Sequence, residues 1–318
     1  MKNILTFGRY LRKKFGQKIY KIPVSIPGFT CPNIDGSVAV GGCSFCENES
    51  FSPNITQSPK KRFTLSPHSK ENPLLELQLS SLEAQIQRTK TKLKRKFKAS
   101  SFIVYFQSFS NTYAPTSTLK ALYAKALEAD DVIGLSIGTR SDCIDEEIIK
   151  FLAEISNTKE IWIEIGVQSV FDETLERINR GHDFESVENA IKLVKSYGLN
   201  LCAHLIFGLP GESEEMMFET FERTVALGAD SIKFHPLYVV KNTALANEYR
   251  AGKFEPIDEE SYIRILTKCM KSLPQHISIQ RVTAGIDDDT LLSPQWCRVK
   301  HLQMKRIRDA LAAALISY

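Results

Sequence analysis

Cys31, Cys43 and Cys46 carry the strongest chemical signal in the chain, in the run Thr30-Cys-Pro-Asn-Ile-Asp-Gly-Ser-Val-Ala-Val-Gly-Gly-Cys-Ser-Phe-Cys46. Three thiolates on a [4Fe-4S] cluster leave the fourth iron open to a ligand, which suits redox chemistry at that iron better than electron storage. A structural zinc ion takes four closed ligands, and the nearest histidine, His68, follows a stretch rich in Ser and Pro. Spacing alone leaves three readings open: an iron–sulfur site, a zinc site, or unliganded thiols.

Other chemistry-bearing residues lie where apolar runs stop. Gln107-Ser-Phe-Ser-Asn-Thr-Tyr113, Gly138-Thr-Arg-Ser-Asp142, Val167-Gln-Ser169 with Arg180-Gly-His182, Gly208-Leu-Pro-Gly-Glu-Ser213 and His235-Pro-Leu-Tyr238 are all polar or glycine-bearing. In a parallel barrel, chemistry gathers at the C-terminal ends of the strands, so these segments are the ones to inspect. The glycines of Gly208–Gly211 let a ligand approach the backbone, with Ser213 as an N-cap. That loop lacks a Walker lysine and a full Gly-x-Gly-x-x-Gly, and a tight strand-to-helix turn is its competing reading. Glu164, Gln168 and Arg180 read as functional, because inward charge on a barrel strand is costly. His204 reads as a satisfied core histidine, and Cys297, beside Trp296, as a buried thiol rather than an auxiliary ligand.

These positions require an alternating scaffold. Leu75, Leu79, Leu82, Ile86, Leu93 and Phe97 recur at helical spacing and predict a helix over 74–98. Strands follow at 101–106, 132–137, 161–166, 201–207, 230–236 and 277–282, with helices at 117–129, 145–156, 171–179, 185–197, 213–227, 243–251, 258–272 and 296–316. Short, apolar, β-branched strands between helices predict a parallel sheet in an α/β fold, either doubly wound or a (β/α) barrel. Residues 1–28 read as a basic N-terminal extension, 29–240 as the barrel, and 241–318 as an extension packed on it. The stretch Ser52 to Lys70 reads as a loop or lid over the cysteines.

At this point the motifs resemble a known family. The chain resembles the radical S-adenosylmethionine (SAM) superfamily, most closely its bacterial YhcC/YtqA branch, with the radical SAM domain of the Elongator catalytic subunit as a relative. The likeness rests on Thr30-Cys-Pro-Asn with Gly41-Gly-Cys-Ser-Phe-Cys46, Asn111-Thr-Tyr-Ala-Pro115, Ile163-Glu-Ile-Gly-Val-Gln-Ser169 with Asn179-Arg-Gly-His182, and His204-Leu-Ile-Phe-Gly-Leu-Pro-Gly-Glu212. It covers nearly the whole chain. It implies a partial (β/α)6 TIM-like barrel with N- and C-terminal α/β extensions, and a [4Fe-4S] cluster on Cys31, Cys43 and Cys46. It also implies reductive cleavage of SAM to a 5′-deoxyadenosyl radical, and an electron donor such as flavodoxin or ferredoxin. By the same resemblance Phe45 lies beside adenine, Gln168 and Arg180 contact the SAM ribose and carboxylate, and Ile206, Gly208 and Leu209 belong to the adenine-side strand. Two departures stand out. Eleven residues separate the first two cysteines, where the commonest pattern has three. The Gly-Gly-Glu or Gly-Gly-Thr segment that receives the SAM ammonium is replaced by Gln107-Ser-Phe-Ser-Asn-Thr112, where Gln107, Ser108 or Ser110 supplies oxygens. No stretch after 240 is long enough for the acetyltransferase domain of Elongator, so acetyl-CoA chemistry is not expected.

Composition bounds the rest. The 318 residues have the apolar and charged fractions of a globular protein, with no membrane-spanning run and no secretory leader. Seven cysteines outside any disulfide lattice point to a reducing cytoplasm. Residues 1–100 hold 18 Lys and Arg against 6 Asp and Glu, in two clusters, Arg9 to Lys21 and Lys90 to Lys98. With Tyr10, Phe15 and Tyr20 interleaved in the first, this composition suits a surface that meets phosphates and stacks on bases. Solvated helix ends are the bland alternative. This composition together with the resemblance, whose relatives act on tRNA, implies tRNA or another RNA as the substrate, without DNA or membrane partners. A small molecule or peptide is the competing substrate, and a metal-stabilised RNA-binding protein without turnover is the competing class.

Overall fold

A computed structural model describes residues 1–47, 64–286 and 289–318. Seven strands form one sheet, every neighbouring pair parallel: β1 (Ile19–Val24), β2 (Ser101–Phe106), β3 (Val132–Thr139), β4 (Glu160–Gln168), β5 (Asn200–Phe207), β6 (Ser231–Pro236) and β7 (Ser278–Arg281). Spatial order follows chain order, so each connection steps the same way and its helix lands on one face. That curls the sheet into a half barrel with the helices outside. The helices are α1 (Phe7–Phe15), α2 (Leu75–Phe97), α3 (Thr116–Leu127), α4 (Glu146–Ser156), α5 (Asp172–Arg177), α6 (Phe184–Ser196), α7 (Glu214–Ala226), α8 (Ala244–Arg250), α9 (Glu259–Ser272) and α10 (Lys300–Ala313).

The partial barrel expected from the resemblance is present, with two differences at its edges. β1 lies inside the segment read as an N-terminal extension. Its sequence, Ile-Tyr-Lys-Ile-Pro-Val, hid it: Lys21 breaks the apolar run, and Pro23 cannot complete a ladder on both sides. Both residues fit because β1 is an edge strand and Lys21 turns into the barrel. β7 lies within 241–318 and extends the sheet itself. Part of the stretch Ser52 to Lys70, residues 52–63, lies outside the described residues.

Strand alternation divides the interior. Outward side chains such as Val104, Ile137, Ile163, Leu205 and Phe234 are fully buried beneath the helices and form the main apolar core. Inward positions form three levels. At the lower end, Phe7 and Leu11 of α1 pack with Ile19, Ile103, Trp162 and Cys202, and Phe7 and Tyr10 meet Trp162 edge-on at 4.9 and 5.6 Å. Thr6 caps α1, and Gly16, at φ +71°, ends it so that the chain can turn into β1. Above this stopper lies a charged layer, and above that a cavity.

The aromatic residues of the basic clusters are committed to the fold. Tyr10 and Phe15 pack on the lower core, while Tyr20 stacks on Phe97 at 5.6 Å. They are not a free base-stacking platform. Lys14 pairs with Glu160 at 2.5 Å, and Lys90 and Lys94 both pair with Asp131. The Tyr20–Phe97 stack, with Lys18 4.8 Å from the Tyr20 ring and Lys96 5.2 Å from the Phe97 ring, joins the two clusters at the N-terminal ends of β1 and β2.

Candidate functional site

The cysteine loop is held against a turn far away in sequence. The carbonyl of Cys31 accepts from the amides of Ile34 and Asp35 at 2.8 and 3.1 Å, and the amide of Cys46 donates to the carbonyl of Cys43 at 2.9 Å. Gly36, Gly41 and Gly42 all have positive φ, which lets the chain reverse twice between the first and second cysteines. Asn33 donates to the carbonyl of Asn179 at 2.5 Å, and Asn179 donates back to the carbonyl of Gly42 at 2.8 Å. A Cβ at Gly181 would lie 2.3 Å from Asn33 Oδ1, so only glycine permits this approach. Arg180 completes the brace: one guanidinium nitrogen lies 3.5 Å from Cys43 Sγ and another donates to the carbonyl of Gly166 at 2.7 Å. The two motifs at the ends of this brace, separated by more than a hundred residues, form one unit.

None of the three thiols is in a disulfide; Cys31 and Cys43 are buried and Cys46 is partly so. Burial, then the neighbouring Cys43 and Cys31, pushes the Cys46 thiol up to about 12, and burial raises Cys31. Thiolates there need a cation to compensate them. A single tetrahedral zinc with Zn–S near 2.3 Å would hold its sulfurs roughly 3.8 Å apart. The three thiols supply one ligand fewer than the four that a closed structural zinc site takes. Several buried polar atoms around the loop and the adjoining strand ends lack a partner: Asn33 Oδ1, Ser44 Oγ, Asn111 Oδ1, Arg140 Nη1, Gln168 Oε1 and Arg180 Nε. Buried polar groups are normally satisfied, so this concentration marks a binding region for a polar cofactor.

Next to it, a cavity of about 450 Å³ opens at the C-terminal ends of the strands. Of the residues expected to hold the cluster or SAM, Gln107, Ser108, Glu164, Gln168 and Arg180 line it, while Phe45, Ser110, Ile206, Gly208, Leu209 and the three cysteines do not; Thr139, Arg140, His204, His235 and Tyr238, also singled out from sequence, line it too. Gly208 faces Ile257, which a Cβ would meet at 2.6 Å. Three lining residues, Ser108, Phe109 and Gln168, are non-glycine yet have φ of +69°, +57° and +68°. Such conformations cost on the order of 1 kcal/mol each and cluster where function demands them.

Beneath the cavity, Glu164 is wholly buried. Its carboxylate accepts from Lys21 at 2.6 Å, from His204 at 2.7 Å, and from Lys233 and Ser136. Burial alone would raise it, but the Lys21 and Lys233 charges hold it well below the carboxylate range. Burial, then the charge of Lys233, lowers His204 to about 4, so it is neutral. Glu164, Cys202 and His204 bring potential metal-ligand atoms within 4.8 Å. Two ammonium groups already occupy that carboxylate, and a divalent cation there would add charge to charge. Sequence reasoning found Glu164 but missed Lys21, Tyr105, Arg281 and Lys300. Lys21 was legible only once β1 was recognised.

A half barrel of parallel strands with a three-thiol loop and a polar cavity at its C-terminal ends has the architecture of a cofactor-using partial-barrel enzyme. Comparison gives the family. The profile described as Radical SAM superfamily matches residues 40–224, and that described as Radical_SAM C-terminal domain matches 229–313. The chain is 34% identical to protein YhcC of Escherichia coli K12 over 92% of its own length and 86% of that protein. It is 31% identical to the tRNA uridine(34) acetyltransferase of Methanocaldococcus infernus over 48% of its length and 29% of that protein. Its fold superposes on Elp3 of M. infernus, with an N-terminal deletion, at a TM-score of 0.59 and 18% identity, covering 92% of this chain and 63% of the other. The chain belongs to the radical SAM superfamily and is an enzyme of that class, within the group that contains YhcC.

Proposed function

We propose that this enzyme uses a [4Fe-4S] cluster and SAM to abstract hydrogen from an RNA substrate, with tRNA as the class. One observation carries the reading: a loop with three cysteines outside any disulfide is braced by Asn33, Asn179 and Arg180 beside a polar cavity at the strand ends. Cys31, Cys43 and Cys46 would hold the cluster. Bound there, cluster and SAM supply an electron-driven cleavage to methionine and a 5′-deoxyadenosyl radical. The chain's own residues bind and orient. Arg180 and Gln168 serve the SAM carboxylate and ribose, and oxygens of Gln107, Ser108 and Ser110 accept its ammonium. Phe45, Ile206, Gly208 and Leu209 flank the adenine. Glu164, saturated by donors from its own chain, acts as the counter-ion of the barrel interior. A flavodoxin- or ferredoxin-type protein delivers the electron.

Anaerobic reconstitution tests this. The protein should be brown, hold four iron and four sulfide on the order expected for one cluster, and form 5′-deoxyadenosine when reduced. Cys43→Ser should lose both colour and product. A colourless protein with one tightly bound zinc and no SAM cleavage would replace this reading with the metal-stabilised binding protein.

Support for RNA comes from the likeness to a tRNA-modifying relative and from exposed Arg12, Lys13, Lys18, Lys92, Arg95 and Lys96. These lie at the opposite end of the strands from the cavity, about 20 Å away for six-residue strands, a separation that a folded RNA spans. Binding should weaken steeply with salt, and neutralising Lys18, Arg95 and Lys96 together should flatten that slope by about two to three units. An unchanged slope would remove this surface from RNA recognition.

A further inference from the structure

The cavity has two chemically different ends. One adjoins Arg180 and the cysteine loop. The other is formed by His235 on β6, Arg281 at the end of β7, the 284–286 segment and Lys300 at the start of α10. Sequence places these residues far from the cysteine loop, and none has a role in holding the cluster or SAM in the reading above.

Among the described residues, this second end is cationic without a compensating carboxylate. Glu164 is the only carboxylate lining the cavity among the described residues, and Lys21, Lys233 and His204 engage it from below. Among the described residues, neither Arg281 nor Lys300 lies within ion-pair distance of a carboxylate. Nε of Arg281 is buried with no protein partner, and so is Nε2 of the adjacent Gln280. An unpartnered guanidinium nitrogen inside a cavity carries a desolvation penalty unless something accepts from it. The backbone is shaped around this arrangement. The Tyr238 hydroxyl donates to the Ala284 carbonyl, holding the 284–286 segment at the wall. A Cβ at Gly285 would lie 2.9 Å from Lys300 Cβ and 3.5 Å from the Cys297 carbonyl, so glycine is what lets Lys300 approach. His235, kept neutral by burial and by the Arg281 charge, offers a ring N–H without adding a third cation.

We infer that this end of the cavity is a phosphate-binding subsite that seats the substrate, with Arg281 and Lys300 as the charge-bearing groups and His235 as a neutral donor. Cations from two separate elements and an imidazole outnumber the two oxygens of a carboxylate and match the peripheral oxygens of a phosphate. The inference rests on the proposal that the cavity is the reaction site, and it adds the chemistry by which substrate is held there. A phosphate monoester on a nucleotide and a phosphodiester within RNA both satisfy it.

Calorimetric titration of the full chain at fixed ionic strength, without SAM, tests the subsite independently of SAM cleavage. The probes are inorganic phosphate, adenosine 5′-monophosphate and a 5′-hydroxyl RNA oligonucleotide. Wild type should bind at least one, and Lys300→Gln and Arg281→Gln should each weaken that binding at least tenfold. Gly285→Val, which displaces Lys300 without removing charge, should do the same. Lys253→Gln, an exposed cation outside the cavity, should not. Loss confined to inorganic phosphate and adenosine 5′-monophosphate identifies a monoester substrate; loss confined to the oligonucleotide identifies RNA. Failure of all three probes to bind, equal affinity in all the cavity variants, or an equal loss in Lys253→Gln would overturn the inference. The 5′-deoxyadenosine assay reports separately on the proposed reaction.

Discussion

Glu212 offers a quantitative test of the electrostatics at the strand ends. It follows the Gly208–Gly211 turn, accepts a hydrogen bond from the Ser169 hydroxyl, and leaves Oε2 buried without a partner. Burial pushes its carboxyl up to about 7 from an ordinary 4.5, outweighing the Ser169 and Thr174 hydroxyls that favour the anion. The folded state therefore holds this proton more tightly than the unfolded chain does. Its contribution is most favourable below pH 4.5, declines as pH rises toward 7, and is fully lost above that. Between pH 5 and 8, about two pK units at 1.36 kcal/mol each, discounted for residual solvent access, give roughly 2 kcal/mol. Glu212→Gln removes the titration. Urea unfolding of wild type and variant at pH 5 and pH 8 should show the variant gaining about 2 kcal/mol relative to wild type between the two conditions. Any pH-independent effect of the substitution cancels in that difference. A gap that stays constant across pH, or that grows toward pH 5, would falsify the assignment.

Other perturbations follow from contacts already described. Glu164→Gln strips the counter-charge from two buried ammonium groups and should destabilise by about 3–5 kcal/mol in the same urea assay; adding Lys233→Met should recover part of that, and a loss under about 1 kcal/mol would contradict the counter-ion role. Gly166→Ala places a Cβ 2.7 Å from Gln168 Nε2 and 2.9 Å from Arg180 Nη2, so equilibrium dialysis with SAM should show at least tenfold weaker binding, and unaltered SAM affinity would dissociate those side chains from the cofactor. Gly208→Ala combines φ of +90° with a 2.6 Å approach to Ile257 and should lower unfolding free energy by about 1–3 kcal/mol; a neutral effect would mean that the turn and Ile257 relax together.

Helices and central strands were legible in the sequence because their apolar periodicity has one cause, burial on one face. The strand at 101–106 and the helix at 74–98 illustrate it, both appearing within a residue of their predicted limits. β1 was illegible for a physical reason: a lysine in a strand reads as surface until the buried Glu164 that neutralises it is seen across the barrel. The cysteine triplet was legible as a ligand set, but its brace was not, since Asn33 and Asn179 meet only in the folded chain. Gln107, Ser108, Gln168 and Arg180 were reached through strand-end logic and family resemblance together. Arg281 and Lys300 escaped both, because a cation at the end of a strand or the start of a helix is common and gains meaning only from the cavity that both line. The aromatic residues among the first basic cluster misled in the opposite direction, since composition does not distinguish a ring offered to a base from a ring packed on Trp162.

The stopper made by Phe7, Leu11 and Trp162, with the charged layer above it, turns the barrel into a vessel with a closed bottom. Among the described residues, the packed rings and the ion pairs above them stand between the cavity and the lower end of the strands. Molecules seated deep in the cavity must arrive before whatever covers the rim and depart after it, so traffic is last in, first out. If the cavity is the reaction site proposed above, such walls impose an order of binding and release on whatever it takes in.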